Sequence, residues 1–179
     1  DVAQTKKWIA DYFGTIPAGP EPKRIPVVIP EQTEPREMIV EEEVTPLPAY
    51  IESYLTVDNR HEDSYPLAFL ASALSSGESS RLYQRLVDND QIALQAGSFP
   101  MNLDKAGMFA FFCIANQGID LETIEKTIAE EVEKVKKDGI TEEEFQKIRN
   151  AQEVGLARSG SSLTGKVRNL ANYSFMMGN

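Results

Sequence analysis

Six prolines between residues 17 and 35 constrain the fold of this chain more than any other feature. They stand at positions 17, 20, 22, 26, 30 and 35. Because proline lacks the amide hydrogen that a central strand donates, this stretch cannot lie inside a sheet. We therefore interpret residues 17–35 as an extended linker between domains. The folded domain is expected in residues 36–179.

Residues 1–16, on the other side of the linker, carry the pattern of a single helix. Within residues 3–13 the apolar side chains recur at helical spacing, at Trp8, Ile9, Tyr12 and Phe13. Gly14 then ends the pattern. Since the sequence starts inside this pattern without a methionine, we interpret residues 1–16 as the terminal helix of a preceding domain in a longer polypeptide.

Residues 36–179 contain strand and helix patterns in the order of an α+β domain. Apolar and polar residues alternate in 36–44 and in 49–57, which predicts two strands with one covered face. Further strands are predicted at 92–100 and 107–116, and helices at 64–74, 79–88, 120–137, 142–158 and 163–177. The predicted fold is a two-layer α+β sandwich with helices on one face of a mainly antiparallel sheet, incomplete at its end.

Two of these helices have specific sequence signals. Residues 64–74 are nearly all apolar, which predicts a buried helix. Thr141 and Glu144 form a capping box, in which the hydroxyl accepts from the third residue's amide and the carboxylate reaches back. This box predicts the start of the helix over 142–158.

Composition and charge restrict the partners and the compartment. The net charge of −10, from 18 basic and 28 acidic residues, argues against nucleic acid or an anionic membrane as a partner. No stretch approaches the roughly 18 consecutive apolar residues of a membrane span, and the first residues do not form a signal peptide. We expect a soluble protein, with the bacterial periplasm and the cytoplasm both open. Cys113, the only cysteine, lies in an apolar segment and is expected to be a small buried hydrophobe.

The residue types needed for self-contained hydrolysis are sparse. His61 is the only histidine, and one imidazole cannot form the inverted His-x-x-Glu-His zinc motif. We interpret it as a surface loop residue, with Asp63 and Ser64 beside it as helix-capping candidates. The serines of segment 75–80 do not form a Gly-x-Ser-x-Gly elbow and are expected to cap helices. No catalytic residue and no metal ligand is predicted in this chain.

Three short motifs follow one another along the chain. They are Tyr12–Pro20, Ser79-Ser80-Arg81-Leu82 and Gly139–Glu144. In order and spacing they resemble the C-terminal, non-zinc-binding domain of bacterial zinc metallopeptidases of the insulinase, pitrilysin and mitochondrial processing peptidase family. The resemblance covers nearly the whole chain and implies the metallohydrolase fold of the mitochondrial processing peptidase type. It also implies zinc in the parent protein or a partner, with none in this chain.

In that family the C-terminal domain typically contributes an arginine and a tyrosine, in a pattern like Arg-x-x-x-Gly-Leu-x-Tyr. The two side chains hold the substrate carbonyl and the developing oxyanion. When Ser79-Ser80-Arg81-Leu82 is laid on the family pattern, Val87 falls at the arginine position and Leu94 at the tyrosine position. The resemblance therefore implies that both donors are missing and that Val87 and Leu94 have no substrate-binding role.

The leading hypothesis is a non-catalytic domain that completes the peptide-binding chamber of a zinc-dependent metallopeptidase. Its partners would be a preceding zinc-binding domain or a partner subunit, and a peptide substrate that adds as a strand to an exposed sheet edge. The alternative is a structural or assembly module of the same family without a proteolytic role. A self-sufficient enzyme of another class is the third hypothesis, and stoichiometric zinc in the purified chain would support it.

Overall fold

The computed structural model of the chain describes residues 1–20, 23, 26, 28–30 and 32–177. Contacts divide the chain into two units, Asp1–Gln32 and Thr33–Asn179. In the first unit, helix α1 runs over Val2–Phe13 and confirms the predicted helix. Linker positions 21, 22, 24, 25, 27 and 31 lie outside the described residues. The described residues from 14 to 32 form no helix or strand.

The second unit contains the predicted mixture of strands and helices. Its elements are β1 (Ala49–Thr56), α2 (Ser64–Ser75), a π-helical segment (Tyr83–Asn89), β2 (Ala93–Asn102), β3 (Gly107–Ala115), α3 (Leu121–Asp138), α4 (Glu142–Ser161), α5 (Leu163–Asn172) and a π-helical turn (Tyr173–Met177). Seven of the predicted elements are confirmed with small shifts at their ends: the strands over 49–57, 92–100 and 107–116, and the helices over 64–74, 120–137, 142–158 and 163–177. Among the described helices, none is both long and apolar enough to cross a membrane.

The strands form one antiparallel sheet in the order β1-β3-β2. β3 lies in the centre, where its Cys113 pairs with Tyr50 of β1 and its Phe111 pairs with Ser98 of β2. A register shift at Ala93 interrupts the ladder near the start of β2. β1 and β2 are therefore the two edges of the described sheet.

The core lies between one face of this sheet and the helices. Phe109, Phe111 and Cys113 share that face, because alternate residues of a strand point to the same side. The aliphatic side chains packed with them are at most 1% exposed: Leu74, Leu82, Leu86, Ile124 and Ile128. Each contributes about 1.5–3 kcal/mol by leaving water. The two-layer α+β sandwich is confirmed, and Cys113 is buried as predicted.

The strand predicted over 36–44 is wrong. These residues form no ladder with any described strand, and Met38, Val40 and Val44 are 84%, 68% and 91% exposed. Alternation alone does not make a strand, because the apolar side must have a surface to cover and the backbone must have a partner. Three consecutive glutamates at 41–43 also have low strand propensity.

Two helix predictions need correction. The helix predicted to be buried, α2, is buried only in part, since Ala71, Ala73 and Leu74 are buried but Tyr65 is 66% exposed. The helix predicted over 79–88 forms, but from Tyr83 it is wound as a π-helix. The Asp90 amide there donates to the carbonyl oxygen of Arg85, five residues back.

The opposite face of the sheet is open. Ile51, Leu55, Phe99 and Met101 lie on it and are between 40% and 74% exposed. Within the second unit, the core helices pack against the other face, and these four side chains leave an exposed apolar surface.

Candidate functional site

The Ser-Gly turn between α2 and the π-helical segment is held by its own serines. The buried Ser80 donates its hydroxyl hydrogen to the Gly77 carbonyl oxygen at 2.7 Å. Ser75 Oγ accepts from the Ser98 amide of β2 at 2.5 Å. Gly77 has a φ of +79°, which glycine adopts without strain. These hydroxyls therefore hold the turn against the sheet.

Arg81, directly after the turn, ties it to the start of α4. Its Nε and Nη2 donate to the two carboxylate oxygens of Glu144 at 2.6 and 2.7 Å, and Nη2 also donates to the Gly139 carbonyl oxygen. Glu144 Oε2 also accepts from the Thr141 amide at 2.7 Å, and Thr141 Oγ1 accepts from the Glu144 amide at 3.2 Å, which confirms the capping box. The Arg81 guanidinium and these bonds lower the pKa of Glu144 to about 2.

Val87 and Leu94 flank a strained stretch of backbone. Val87 is half-buried and packs against the core, whereas Leu94 is 61% exposed. Between them, Gln91 has a φ of +53°, and its carbonyl oxygen accepts from Asn116 Nδ2 at 2.7 Å. In the register predicted above, Gln91 falls at the glycine of the pattern Arg-x-x-x-Gly-Leu-x-Tyr. Neither Val87 nor Leu94 carries a hydrogen-bond donor on its side chain.

His61 lies in the loop before α2. Its Nδ1 accepts from the Asp63 amide at 3.2 Å, and its side chain is about half exposed. Asp63 occupies the N-cap position of α2, but its carboxylate makes no capping hydrogen bond. Within the described residues, no group of three or more His, Cys, Asp or Glu side chains could hold a metal ion.

The bonding of β3 decides which backbone groups of β1 point outward. The Ala115 amide donates to the Pro48 carbonyl oxygen at 2.9 Å. Because bonded and non-bonded pairs alternate along an antiparallel ladder, every second residue of β1 from Tyr50 onward is bonded to β3. The residues whose amides and carbonyls point away from the sheet are Ile51, Ser53 and Leu55.

The outer edge of β2 is blocked. The Ser98 amide points away from β3 and donates to Ser75 Oγ. Pro100, which follows on the same side, has no amide hydrogen to offer. The register shift at Ala93 further disrupts this edge. Of the two described edges, β1 is the one with a regular row of outward groups.

Carboxylates and phenols lie together on the covered side of β1. The Tyr54 hydroxyl donates to Glu52, and this bond, with burial, raises the pKa of Tyr54 to about 12. Burial raises the pKa of Tyr50, and the charges of Glu52 and of Glu125 on α3 raise it further. Neither carboxylate forms an ion pair with a described residue. The electrostatic potential that Glu52 and Glu125 produce at this edge is therefore negative.

A concave surface lies beside α2. It is an apolar groove of about 790 Å³, and its walls include Val57, Tyr65, Leu70 and Ile140. Phe69 and Phe145 stack across it with ring centroids 5.6 Å apart. Among its described lining residues, the polar side chains are those of Thr56, Asp63 and Tyr65.

The two-layer fold and the matching family profile define an inactive domain of the zinc peptidase class. The sequence profile of the peptidase M16 inactive domain matches residues 1–152. The chain belongs to this family, which confirms the resemblance carried by Ser79-Ser80-Arg81-Leu82.

Similar proteins include zinc proteases from bacteria. Zinc protease PqqE of Helicobacter pylori (strain ATCC 700392 / 26695) is 32% identical over 114 residues, which are 64% of this chain and 26% of that protein. The crystal structure of a protease from Helicobacter pylori matches 97% of this chain and 42% of its own, with a TM-score of 0.81 and 28% identity. The inactive peptidase domain of a proposed zinc protease from Bordetella parapertussis shares the fold, with a TM-score of 0.62 and 19% identity over 72% of this chain and 71% of its own.

Sequence reasoning missed two features of the site. The Arg81–Glu144 pair joins residues far apart in the chain. The capping-box pattern shows that Glu144 bonds to the helix start, but it does not indicate that Glu144 also binds an arginine. The open edge of β1 depends on the pairing of the strands. Local alternation of apolar and polar residues does not specify that pairing. The signal that could have been used was Pro100, because a proline in a predicted strand indicates a blocked edge.

Proposed function

We propose that this chain is the non-catalytic C-terminal domain of a zinc-dependent metallopeptidase. It completes the peptide-binding chamber, while the zinc chemistry resides on a separate domain or partner subunit. The observation that carries the proposal is the apolar pair Val87 and Leu94 at the family's arginine and tyrosine positions. Hydrocarbon side chains cannot donate hydrogen bonds to a developing oxyanion.

The donor set of the chain does not fit a zinc site. His61 is its only imidazole, and the carboxylates of the described residues do not gather around it. Membership in the inactive-domain family and the zinc protease relatives support a metal on another part of the protein. The chain spans about a quarter of the length of PqqE, which leaves room in a related parent for a zinc-binding domain.

The proposal is tested in the full-length parent protein by substitution at the two positions. Val87→Ala and Leu94→Ala should each leave kcat/KM for a peptide substrate within about threefold of the parent, because no transition-state donor is lost. Loss of one oxyanion donor costs about 100-fold or more in comparable sites. A control that replaces a zinc ligand of the zinc-binding domain should abolish turnover.

Two outcomes contradict the proposal. A fall of about 100-fold in either variant, with unchanged folding by circular dichroism, would show that these positions do act in catalysis. A parent that binds no zinc and cleaves no peptide would instead support the structural or assembly module.

A further inference from the structure

We propose that the apolar groove beside α2 binds a small organic cation that has an alkylammonium head and an apolar body. The inference goes beyond the proposed function and does not depend on it. It rests on accessible aromatic rings in the groove, on one accessible carboxylate, and on the lack of basic side chains among the described lining residues.

The size and the lining of the groove suit a small ligand. Its volume of about 790 Å³ lies within the range of roughly 300–1,000 Å³ that is usual for ligand sites. Val57, Leu67, Leu70 and Ile140 supply hydrocarbon to its walls, and each of them is only half-buried. An apolar body that enters the groove therefore removes hydrocarbon from water on both partners.

Three aromatic side chains also line the groove. Tyr65 and Phe69 are four residues apart on α2 and so lie on one face of this helix. Phe145 of α4 stacks on Phe69, with ring centroids 5.6 Å apart and an interplanar angle of 26°. Tyr65 is 66% exposed and Phe145 is 37% exposed, so both rings are accessible to a ligand. The face of an aromatic ring attracts an ammonium group.

Asp63 is the carboxylate among the described lining residues. Its side chain is 63% exposed and makes no capping hydrogen bond to α2. His61 Nδ1 lies 3.5 Å from Asp63 Oδ2, but this nitrogen accepts from the Asp63 amide and so has no hydrogen to donate to the carboxylate. The carboxylate is therefore available to a cationic head group.

The charges of the lining favour a cation over an anion. Lysine, arginine and histidine are absent from the described lining residues. An ammonium group in the groove meets the opposite charge of Asp63, whereas a carboxylate on the ligand meets the same charge without a basic group to compensate it. An uncharged ligand with the same body gains only the apolar contacts. The groove should therefore distinguish ligands that differ only in the charge of the head.

The start of α4 is fixed before a ligand arrives. Arg81 donates two hydrogen bonds to Glu144 and thereby holds this helix start to the turn that follows α2. The Phe145 amide donates to the Thr141 carbonyl oxygen at 2.9 Å. Because the wall that carries Phe145 is already ordered, a ligand loses less affinity to the ordering of the protein.

The test uses the full chain and three ligands with the same phenylbutyl body. They are phenylbutyl-trimethylammonium, phenylbutanol and phenylbutyrate, which are cationic, neutral and anionic at pH 7. Amide NMR shifts are followed during titration at low salt. We expect the cation to shift residues 65–70 and 140–145 saturably and to bind about fivefold more tightly than the alcohol and about tenfold more tightly than the anion. Equal binding of cation and alcohol, shifts at other residues only, or no saturation at millimolar cation would overturn the proposal.

Asp63→Asn tests the carboxylate. Asparagine is as good an N-cap residue as aspartate, so α2 should form as before. The variant should bind the cation about threefold more weakly and phenylbutanol with unchanged affinity. The matched control Glu62→Gln removes an exposed charge next to Asp63 and should change the affinity for the cation by less than about 1.5-fold. If Asp63→Asn keeps the full preference for the cation, the carboxylate does not recognise the charge and the proposal is wrong.

Phe145→Leu tests the aromatic rings. Leucine keeps an apolar wall but removes one ring, so the cation should lose about threefold more affinity than phenylbutanol. Circular dichroism checks that the variant folds, and the Asp63→Asn comparison does not depend on it. Equal losses for the two ligands would show that Phe145 supplies only hydrocarbon, which contradicts recognition of the cation by the rings.

Discussion

Gln91 has a left-handed backbone between the π-helical segment and β2. That conformation costs an ordinary residue about 1–2 kcal/mol, and only glycine adopts it freely. The bond from Asn116 Nδ2 to the Gln91 carbonyl oxygen helps to hold it in place. At the scale of single residues, the left-handed backbone at Gln91 therefore carries a cost in stability.

We predict that Gln91→Gly stabilises the chain by about 0.5–1 kcal/mol. The gain is the relieved strain less the greater backbone entropy of glycine in the unfolded state. Urea unfolding followed by circular dichroism measures it. The control Gln117→Gly, at an exposed residue whose φ is not positive, should lower stability. A loss of stability in Gln91→Gly would mean that the glutamine side chain has a packing role.

Separate elements are joined by the bidentate pair between Arg81 and Glu144. The pair connects the Ser-Gly turn with the start of α4, and Glu144 completes the capping box at the same time. Burial of both side chains is substantial, at 17% and 25% exposure, so solvent screens the pair less than a surface ion pair. At the scale of elements, one carboxylate thus positions two segments that are adjacent in space but distant in sequence.

This linkage predicts a loss of stability in acid. The pKa of Glu144 is about 2 in the folded chain, below its ordinary value of 4.5. The stabilisation is therefore present above about pH 4.5 and disappears as the pH falls toward 2. Glu144→Gln should lower stability at pH 7 by about 2 kcal/mol and flatten the pH dependence between pH 5 and 2.

Urea unfolding at a series of pH values provides the measurement. The control is Glu143→Gln, which removes an exposed charge from the same helical turn and should change stability by less than about 0.5 kcal/mol. If Glu144→Gln keeps the acid sensitivity of the unchanged chain, the source lies in other carboxylates.

Across the whole molecule, the hydrophobic core belongs to the second unit. Helix α1 of the first unit has no buried residue, although it carries Trp8, the only tryptophan. An isolated helix of 12 residues is marginally stable in water. The two units therefore have different sources of stability.

We predict that tryptophan fluorescence and circular dichroism give different unfolding curves. The circular dichroism signal should show the cooperative transition of the second unit, whereas Trp8 emission should change gradually and without that midpoint. In the control, Trp8→Phe combined with Phe69→Trp moves the indole to the stack with Phe145, and its emission should follow circular dichroism. Coincident curves for the unchanged chain would show that the two units unfold together.

Much of this architecture could be predicted from the sequence. Helical periodicity located α1, α3 and α4, and the capping box marked the first residue of α4. The Ser-Ser-Arg-Leu motif identified the family. These signals are local, because each depends on residues within a few turns of one another. The prediction of a strand over 36–44 was wrong because alternation indicates an apolar face but does not provide a neighbouring strand.

What only the tertiary structure decided depends on contacts between distant residues. The sequence alone determined the fold class, the family and the absence of a second imidazole. Pairing of the strands decided that β2 is blocked by Ser75 and that β1 keeps its outward groups free. The physical reason is that a backbone group is satisfied or free according to its spatial neighbour, and local sequence patterns do not specify that neighbour.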